Sequence, residues 1–567
     1  MRQINEMYTE KGKKLKDGAV FCEYYPRPML KRDSFFSLNG IWDFGVSDNE
    51  IVYDKKIRVP FCPESLLSEV NQAFDEDKIL FYKKEFTLPE DFNKGRVILH
   101  FGAVDQCCEV YLNNTFIGGN IGGYDEFSFD ITDILAENNL LELRVTDKLS
   151  NCILPYGKQC KNPKGMWYTR VSGIWQTVWI ESVPCEYIKS IKIDVTLSSA
   201  HIAIDGIHDG KIIVPCINKE TIIKEGRADI EIDNPVLWTP ENPYLYDFII
   251  EAGNDRVESY FALRTLSIGV YDGKKRLLLN DTPYFFHGVL DQGYFPDGIF
   301  TPADLSCYTD DILKMKNLGF NMLRKHIKIE PEFFYSECDR LGMIVFQDMV
   351  NNGKYSFIKD TALPTIGMLK KNDKYTHKDA ESRKAFMLSM QKTVERLYNH
   401  PSICQWTIFN EGWGQFCADE MYNRLRELDS SRFIDSASGW FIAKNNDFDS
   451  RHIYFKKLKV KECDKPIFIS EFGGYSLNIE NHIFNLKSSY GYGKFKCRED
   501  FVTALNNLYL NEVLPLIDRG LCATVYTQLS DVEDETNGLL TYDRMVSKVK
   551  EEEFAEISEK LKEKILK

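Results

Sequence analysis

No apolar run in this chain approaches the ~20 residues that a membrane-crossing helix needs. The opening stretch MRQINEMYTEKGKKLKDG also holds no apolar segment of the kind that heads an export signal. These absences predict a cytoplasmic protein without a membrane partner. Positive charge is in deficit: 71 Lys and Arg stand against 85 Asp and Glu, a formal net charge of −14. A general nucleic-acid binder is excluded on that ground. The 15 cysteines show no paired CxxC spacing, so they read as reduced thiols, neither a zinc site nor a disulfide framework. No GxGxxG or GxxxxGK[ST] follows an early strand, which argues against an open doubly wound sheet built around a phosphate loop.

What is present is a soluble globular composition, 43% hydrophobic and 28% charged over 567 residues, enough for three or four domains. Residues 1–184 are dominated by short alternating segments such as YKKEFTL (82–88), RVILHFGAV (96–104), CEVYLNN (108–114), EFSFDITDIL (126–135) and LLELRVTD (140–147). Alternation marks half-buried strands, and the Asn-Asn and Gly-Gly pairs between them mark turns. This predicts a jelly-roll β-sandwich. Residues 185–272 carry a second all-β run, spaced for an immunoglobulin-like β-sandwich, with the proline-rich NPVLWTPENPYLY (234–246) as an ordered connection.

Over 273–567 the rhythm becomes strand, helix, strand, helix. Eight apolar strand candidates, beginning at YFFHGVL (284–290) and ending at ATVYTQL (523–529), predict a (β/α)8 TIM barrel. The fold expected is therefore multidomain, β followed by α/β. In such barrels chemistry sits where strands end. The polar residues closing the candidates are His287, Arg324 with His326, Asp348, Asn410 with Glu411, His452 with Tyr454, Glu471, and Tyr526 with Gln528.

Two glutamates dominate that set: Glu411 after QWTIFN and Glu471 after PIFIS. On the fourth and seventh candidate strands they would face each other across the barrel mouth. Opposed carboxylates suit glycosidic bond cleavage, one as protonated acid and the other as ionised nucleophile. Spacing decides between retention and inversion, and a sequence carries no such distance. Arg324 can hold the nucleophile charged, Asn410 can donate to a sugar hydroxyl, and Tyr454 can donate to the nucleophile carboxylate. His326 and His452 read as hydroxyl partners, and Asp348 as a hydroxyl partner or an anchor for Arg324. Trp167, Trp413 and Trp440 are candidate aromatic platforms. No convincing cluster of carboxylates appears, so no obligatory metal and no cofactor are expected.

Several segments in order resemble glycoside hydrolase family 2: LNGIWDF (38–44), VPFCPES (59–65), YKKEF (82–86), GMWYTRVSGIWQTVWIE (165–181), FALR (261–264), NHPSICQWTIFNEGWGQF (399–416) and PIFISEFGG (466–474). The resemblance implies a retaining exo-β-glycosidase acting on terminal β-linked sugars, with Glu411 as acid/base and Glu471 as nucleophile. Family β-glucuronidases carry an Asn-x-Lys motif just after the eighth strand. The corresponding DVEDETNGLLTYDR (531–544) has no lysine and is acidic, so a neutral hexoside, β-galactoside first, is expected. The Asn-Leu-Lys at 485–487 follows the seventh strand and is read as coincidence. Where family members place an aspartate before the SGI triplet, this chain has Trp167. On the eighth strand Tyr526 and Gln528 stand where a tryptophan often lies.

Other readings remain at this stage: another family activity (β-glucuronidase, β-mannosidase, arabinosidase), a non-catalytic carbohydrate-binding relative, or a metal-dependent barrel hydrolase using His326, His452 and Asp348. The charged amphipathic EEEFAEISEKLKEKI (551–565) reads as packing against the barrel, and a homo-oligomer stays open.

Overall fold

Strict alternation builds the first sandwich. Along Asn139–Thr146 every second residue is buried, which gives this strand one face for the core and one for the surface. It lies inside a six-stranded antiparallel sheet ordered Lys55–Val59, Gly40–Ser47, Ile79–Phe86, Asn139–Thr146, Cys107–Leu112 and Thr115–Ile121. A four-stranded sheet ordered Phe36–Ser37, Val178–Val183, Arg96–Phe101 and Phe127–Asp130 covers it. Trp42, Phe44, Tyr82, Leu99, Phe101, Leu143 and Ile180 fill the space between. The computed structural model describes residues 3–19, 21, 23–365 and 372–566.

The second sandwich pairs a three-stranded sheet (Ser190–Val195, Ser199–Asp205, Arg227–Glu231) with a four-stranded one (Lys219–Ile223, Gly210–Val214, Tyr246–Ala252, Asp255–Phe261). Two of these strands, Ser199–Asp205 and Lys219–Ile223, were not among the segments expected. The first is marked only by its alternating Ile202 and Ile204, and the second only by the adjacent Ile222 and Ile223. Within the 234–246 connection, Trp238 is fully buried and donates its indole N–H to the Asp339 carbonyl at 2.9 Å, pinning the segment to the barrel.

Most barrel strands are buried along their whole length because both faces of a parallel sheet are covered. They are β1 Phe286–Asp291, β2 Met322–Lys325, β3 Ile344–Asp348, β4 Ile403–Thr407, β5 Phe433–Asp435, β6 Asp449–Ile453, β7 Ile467–Gly473 and β8 Leu521–Thr527. Neighbouring strands pair in parallel in the order β5-β4-β3-β2-β1-β8-β7-β6, a nearly closed eight-stranded barrel. Strand β6 begins three residues earlier than its expected HIYF core, so Tyr454 lies just past its end.

His287 departs from the expectation. It sits near the start of β1, not its end, and packs outward against Phe320, Tyr509 and Phe554. Burial pushes its pKa down to about 3, so it is a neutral core histidine; Asp291 closes the strand instead. The helix Glu551–Leu566 buries Phe554, Ile557, Leu561 and Ile565, which lie on one helical face at steps of three and four. Its apolar face is thus used within the chain. Among the described residues no helix is long and apolar enough to cross a membrane.

Candidate active site

A short stretch of unusual backbone aims the first glutamate. Asn410 bridges to Ser438 beyond β5, and the Glu411 amide donates to the Ser438 carbonyl at 3.0 Å. Glu411 itself has φ +52°, a left-handed conformation that side-chain-bearing residues seldom adopt. Gly412 follows at φ +70°, and a Cβ there would come within 2.3 Å of the Phe441 ring. The chain thus turns sharply as it leaves β4, with Glu411 at the turn. Glu471 lies within β7, paired with His452 of β6 and set in a register irregularity against β8, where the ladder steps from Ile469 to Phe472.

His452 lies between the two. Its Nδ1 is 2.8 Å from Glu411 Oε1 and 3.5 Å from Glu471 Oε2. One donor atom of each of the three residues lies within 4.8 Å of the others. Around Nε2 stand Arg324 Nη1 at 3.4 Å and the Ser438 hydroxyl at 3.1 Å. Arg324 can only donate, so Nε2 is the acceptor and the ring proton sits on Nδ1, donated to Glu411.

Arg324 is the hub beneath them. Fully buried, it donates Nε to Asp348 Oδ1 at 3.0 Å, Nη1 to Glu471 Oε1 at 3.2 Å and Nη2 to Asn410 Oδ1 at 3.0 Å. Asp348 also meets His326 Nδ1 at 2.8 Å. The residue therefore holds Arg324 and His326 together. Tyr454 donates its hydroxyl to Glu471 Oε2 at 2.7 Å, and Tyr492 stacks on its ring with centroids 3.9 Å apart.

Burial alone would push the Glu471 carboxyl up. His452, Arg324, His326 and the Tyr454 hydrogen bond outweigh it, and the group lies below the ordinary glutamate range. Its ionised form is favoured at neutral pH. A group that must be ionised loses function as pH falls through its pKa, so the acid limb of activity should lie below 4.5. Tyr454→Phe removes a donor to the charged form, and the acid limb of kcat/KM should then move up in pH. A limb that stays in place would separate Tyr454 from control of Glu471.

The three tryptophans differ. Trp440 is half-buried, edge-on to His452, and donates to the Glu411 and Asp360 carbonyls at 3.1 and 3.0 Å. Trp167 is half-buried, 4.8 Å from Tyr355 and 5.0 Å from Trp413 between ring centroids. Trp413 is 3% exposed and spends its indole N–H on the Gly353 carbonyl at 2.8 Å. As an open sugar platform it is corrected to a wall residue behind Trp167. Gln528 is buried, accepting from Gln292 at 2.9 Å and donating to Asn537 at 3.0 Å and Glu535 at 3.4 Å.

Three neighbours escaped the sequence reading. Ser438 and Thr527, which meet His452 and Tyr454, carry no signal beyond their places near strand ends. Glu535, in the loop after β8, accepts the Tyr168 hydroxyl from the first sandwich. The Asn-Leu-Lys at 485–487 is used elsewhere: Asn485 donates to Asp534 at 2.9 Å, and Lys487 is exposed. If a cation were held at the mouth, Glu411, His452 and Glu471 form the candidate donor group among the described residues.

Fold and site together define a two-sandwich barrel protein of glycosyl-hydrolase architecture. Three models of a single family match successive stretches of the chain. A galactose-binding domain-like model covers 49–165, a glycosyl hydrolases family 2 model covers 186–264, and the family 2 TIM barrel model covers 270–482. The chain belongs to glycosyl hydrolases family 2. A β-galactosidase of Thermoanaerobacter pseudethanolicus is 28% identical over 335 residues, 54% of this chain and 44% of that protein. A β-glucuronidase of Felis catus is 23% identical over 442 residues, 68% of this chain and 65% of that protein. The chain thus spans less than half the length of the first of these. In fold, a β-D-glucuronidase of Dictyoglomus thermophilum superposes with a TM-score of 0.72 at 19% identity, covering 96% of this chain and 98% of that one.

Proposed function

We propose that this protein is a retaining exo-β-glycosidase that cleaves terminal non-reducing β-linked sugars by double displacement. Glu471 attacks the anomeric carbon. Glu411 protonates the leaving oxygen, then activates the water that releases the sugar. The observation that carries this reading is the convergence of the two carboxylates on His452, with donor atoms within 4.8 Å. Retaining enzymes hold their carboxylates about 5–5.5 Å apart, whereas inverting ones need about 6.5–9.5 Å for an intervening water. The short spacing supports a covalent intermediate. The electrostatics agree in direction, since Glu471 is kept ionised by its neighbours. Asn410, held by Arg324, is the candidate partner of a sugar hydroxyl beside the reacting carbon.

The sequence favours a neutral hexoside, β-galactoside first, because the loop after β8 lacks a lysine. The named relatives include both β-galactosidases and β-glucuronidases. Turnover of p-nitrophenyl β-galactoside, glucoside, mannoside, fucoside, glucuronide and galacturonide tests the reading, with product configuration followed by NMR. Initial release of the β-anomer is expected. Release of the α-anomer would convert the assignment to an inverting enzyme, and inertness towards the whole panel would favour a carbohydrate-binding role.

A further inference from the structure

Among the described residues Lys158 is a largely buried lysine with no ion-pair partner. It lies in the first sandwich segment, where its carbonyl accepts the Tyr168 amide at 3.0 Å. Its side chain extends towards the barrel mouth, with Nζ 5.6 Å from the centroid of the Trp167 ring. The residue is only 9% exposed. Among the described residues its ammonium has no hydrogen-bond acceptor and no carboxylate at ion-pairing distance. Buried ammonium groups are normally paired, because leaving water without a partner is costly. A ring face at 5.6 Å is a weak substitute for a carboxylate.

Two residues near the barrel mouth lie within electrostatic reach of it. His326, beyond β2, is pushed down first by burial and then by the Lys158 charge. Glu535, in the loop after β8, is pushed up to about 7 by burial, against the Tyr168 hydrogen bond and the Lys158 charge. Below that pH Glu535 is largely a neutral carboxylic acid, a hydrogen-bond donor instead of a repelling anion. The acidity of the 531–544 loop therefore does not by itself exclude an anionic sugar. Lys158, His326 and Glu535 thus bring to one side of the mouth a free cation, an imidazole and a protonatable carboxyl. That set suits a carboxylate.

We infer that Lys158, reaching the barrel mouth from the first sandwich, is a specificity-determining residue that binds the carboxylate of a β-linked uronic acid. The inference rests on the glycosidase reading and names its substrate class as β-uronides, in place of the neutral hexoside that the loop after β8 favours when taken alone. The cation missing from the loop after β8 is supplied by a different domain.

Kinetics at pH 6 on four p-nitrophenyl substrates, β-glucuronide, β-galacturonide, β-glucoside and β-galactoside, test it. Wild type should prefer a uronide to its matched hexoside. Lys158→Met should lower kcat/KM on that uronide by about 100-fold, chiefly through KM, and so collapse the preference. Lys158→Arg should recover part of it, which a merely structural loss would not allow. Turnover of the hexosides in preference to the uronides would overturn this inference while leaving the glycosidase reading intact. Equal losses on uronides and hexosides in Lys158→Met, unrelieved in Lys158→Arg, would reduce the residue to a support for Trp167 and also overturn it. No turnover of any of the four would overturn this inference, and inertness towards the mannoside and fucoside as well would sink the glycosidase reading with it.

Discussion

Glu471→Gln is expected to cut kcat by a factor on the order of 10⁴–10⁶ on every glycoside the enzyme accepts. The amide keeps the size of the side chain and an oxygen for Arg324 and Tyr454, so the pocket should hold. What is lost is the nucleophile, and with it the covalent glycosyl-enzyme that divides one difficult displacement into two easier ones. The loss should appear in kcat/KM for good and poor leaving groups alike, since bond formation to the nucleophile and departure of the aglycone share one transition state that no leaving group can reach by this route without Glu471. Intact-protein mass spectrometry gives a second check. Wild type mixed with a slowly released 2-fluoro glycoside should gain one sugar mass, and Glu471→Gln should gain none. A variant that retained wild-type turnover would remove Glu471 from the chemistry.

This expectation depends on how the pocket is assembled, and its parts were unequally visible in the amino-acid sequence. Glu411 and Glu471 could be found because each closes a run of apolar residues that only a fully covered strand explains. Arg324 and Asp348 followed from the same logic. The relation among them could not be read, because β4 and β7 are some sixty residues apart and only barrel closure brings them together. The bridging place of His452, 2.8 Å from one carboxylate and 3.5 Å from the other, belongs to that closure. Lys158 shows a different limit. The family's Asn-x-Lys motif points to the barrel loops after β7 and β8, yet this lysine comes from a sandwich segment more than 370 residues before the β8 loop. No periodicity within one domain signals a side chain that acts in another. Trp413 was legible as an aromatic near a strand end, but its burial beneath Trp167 depends on contacts across the domain boundary.

Glu411→Gln should show the opposite dependence on the leaving group. A general acid contributes about 10²–10⁴-fold, and the contribution grows with the basicity of the departing oxygen. Alkyl glycosides and disaccharides, whose alkoxides leave poorly without a proton, should lose nearly all of that factor. Dinitrophenyl glycosides need little protonation, so their first step should proceed at close to the wild-type rate. Their second step should then stall, because the same side chain must activate water to release the sugar. A burst of dinitrophenolate followed by slow turnover is the expected time course. Azide attacks as an anion without a base, so adding it should raise the steady rate and yield a β-glycosyl azide. The left-handed backbone at Glu411 is shared by the glutamine variant, which keeps strain out of the comparison. Uniform losses across leaving groups, with no burst and no response to azide, would assign proton transfer to another residue, and His452, 2.8 Å away, would be the first to examine.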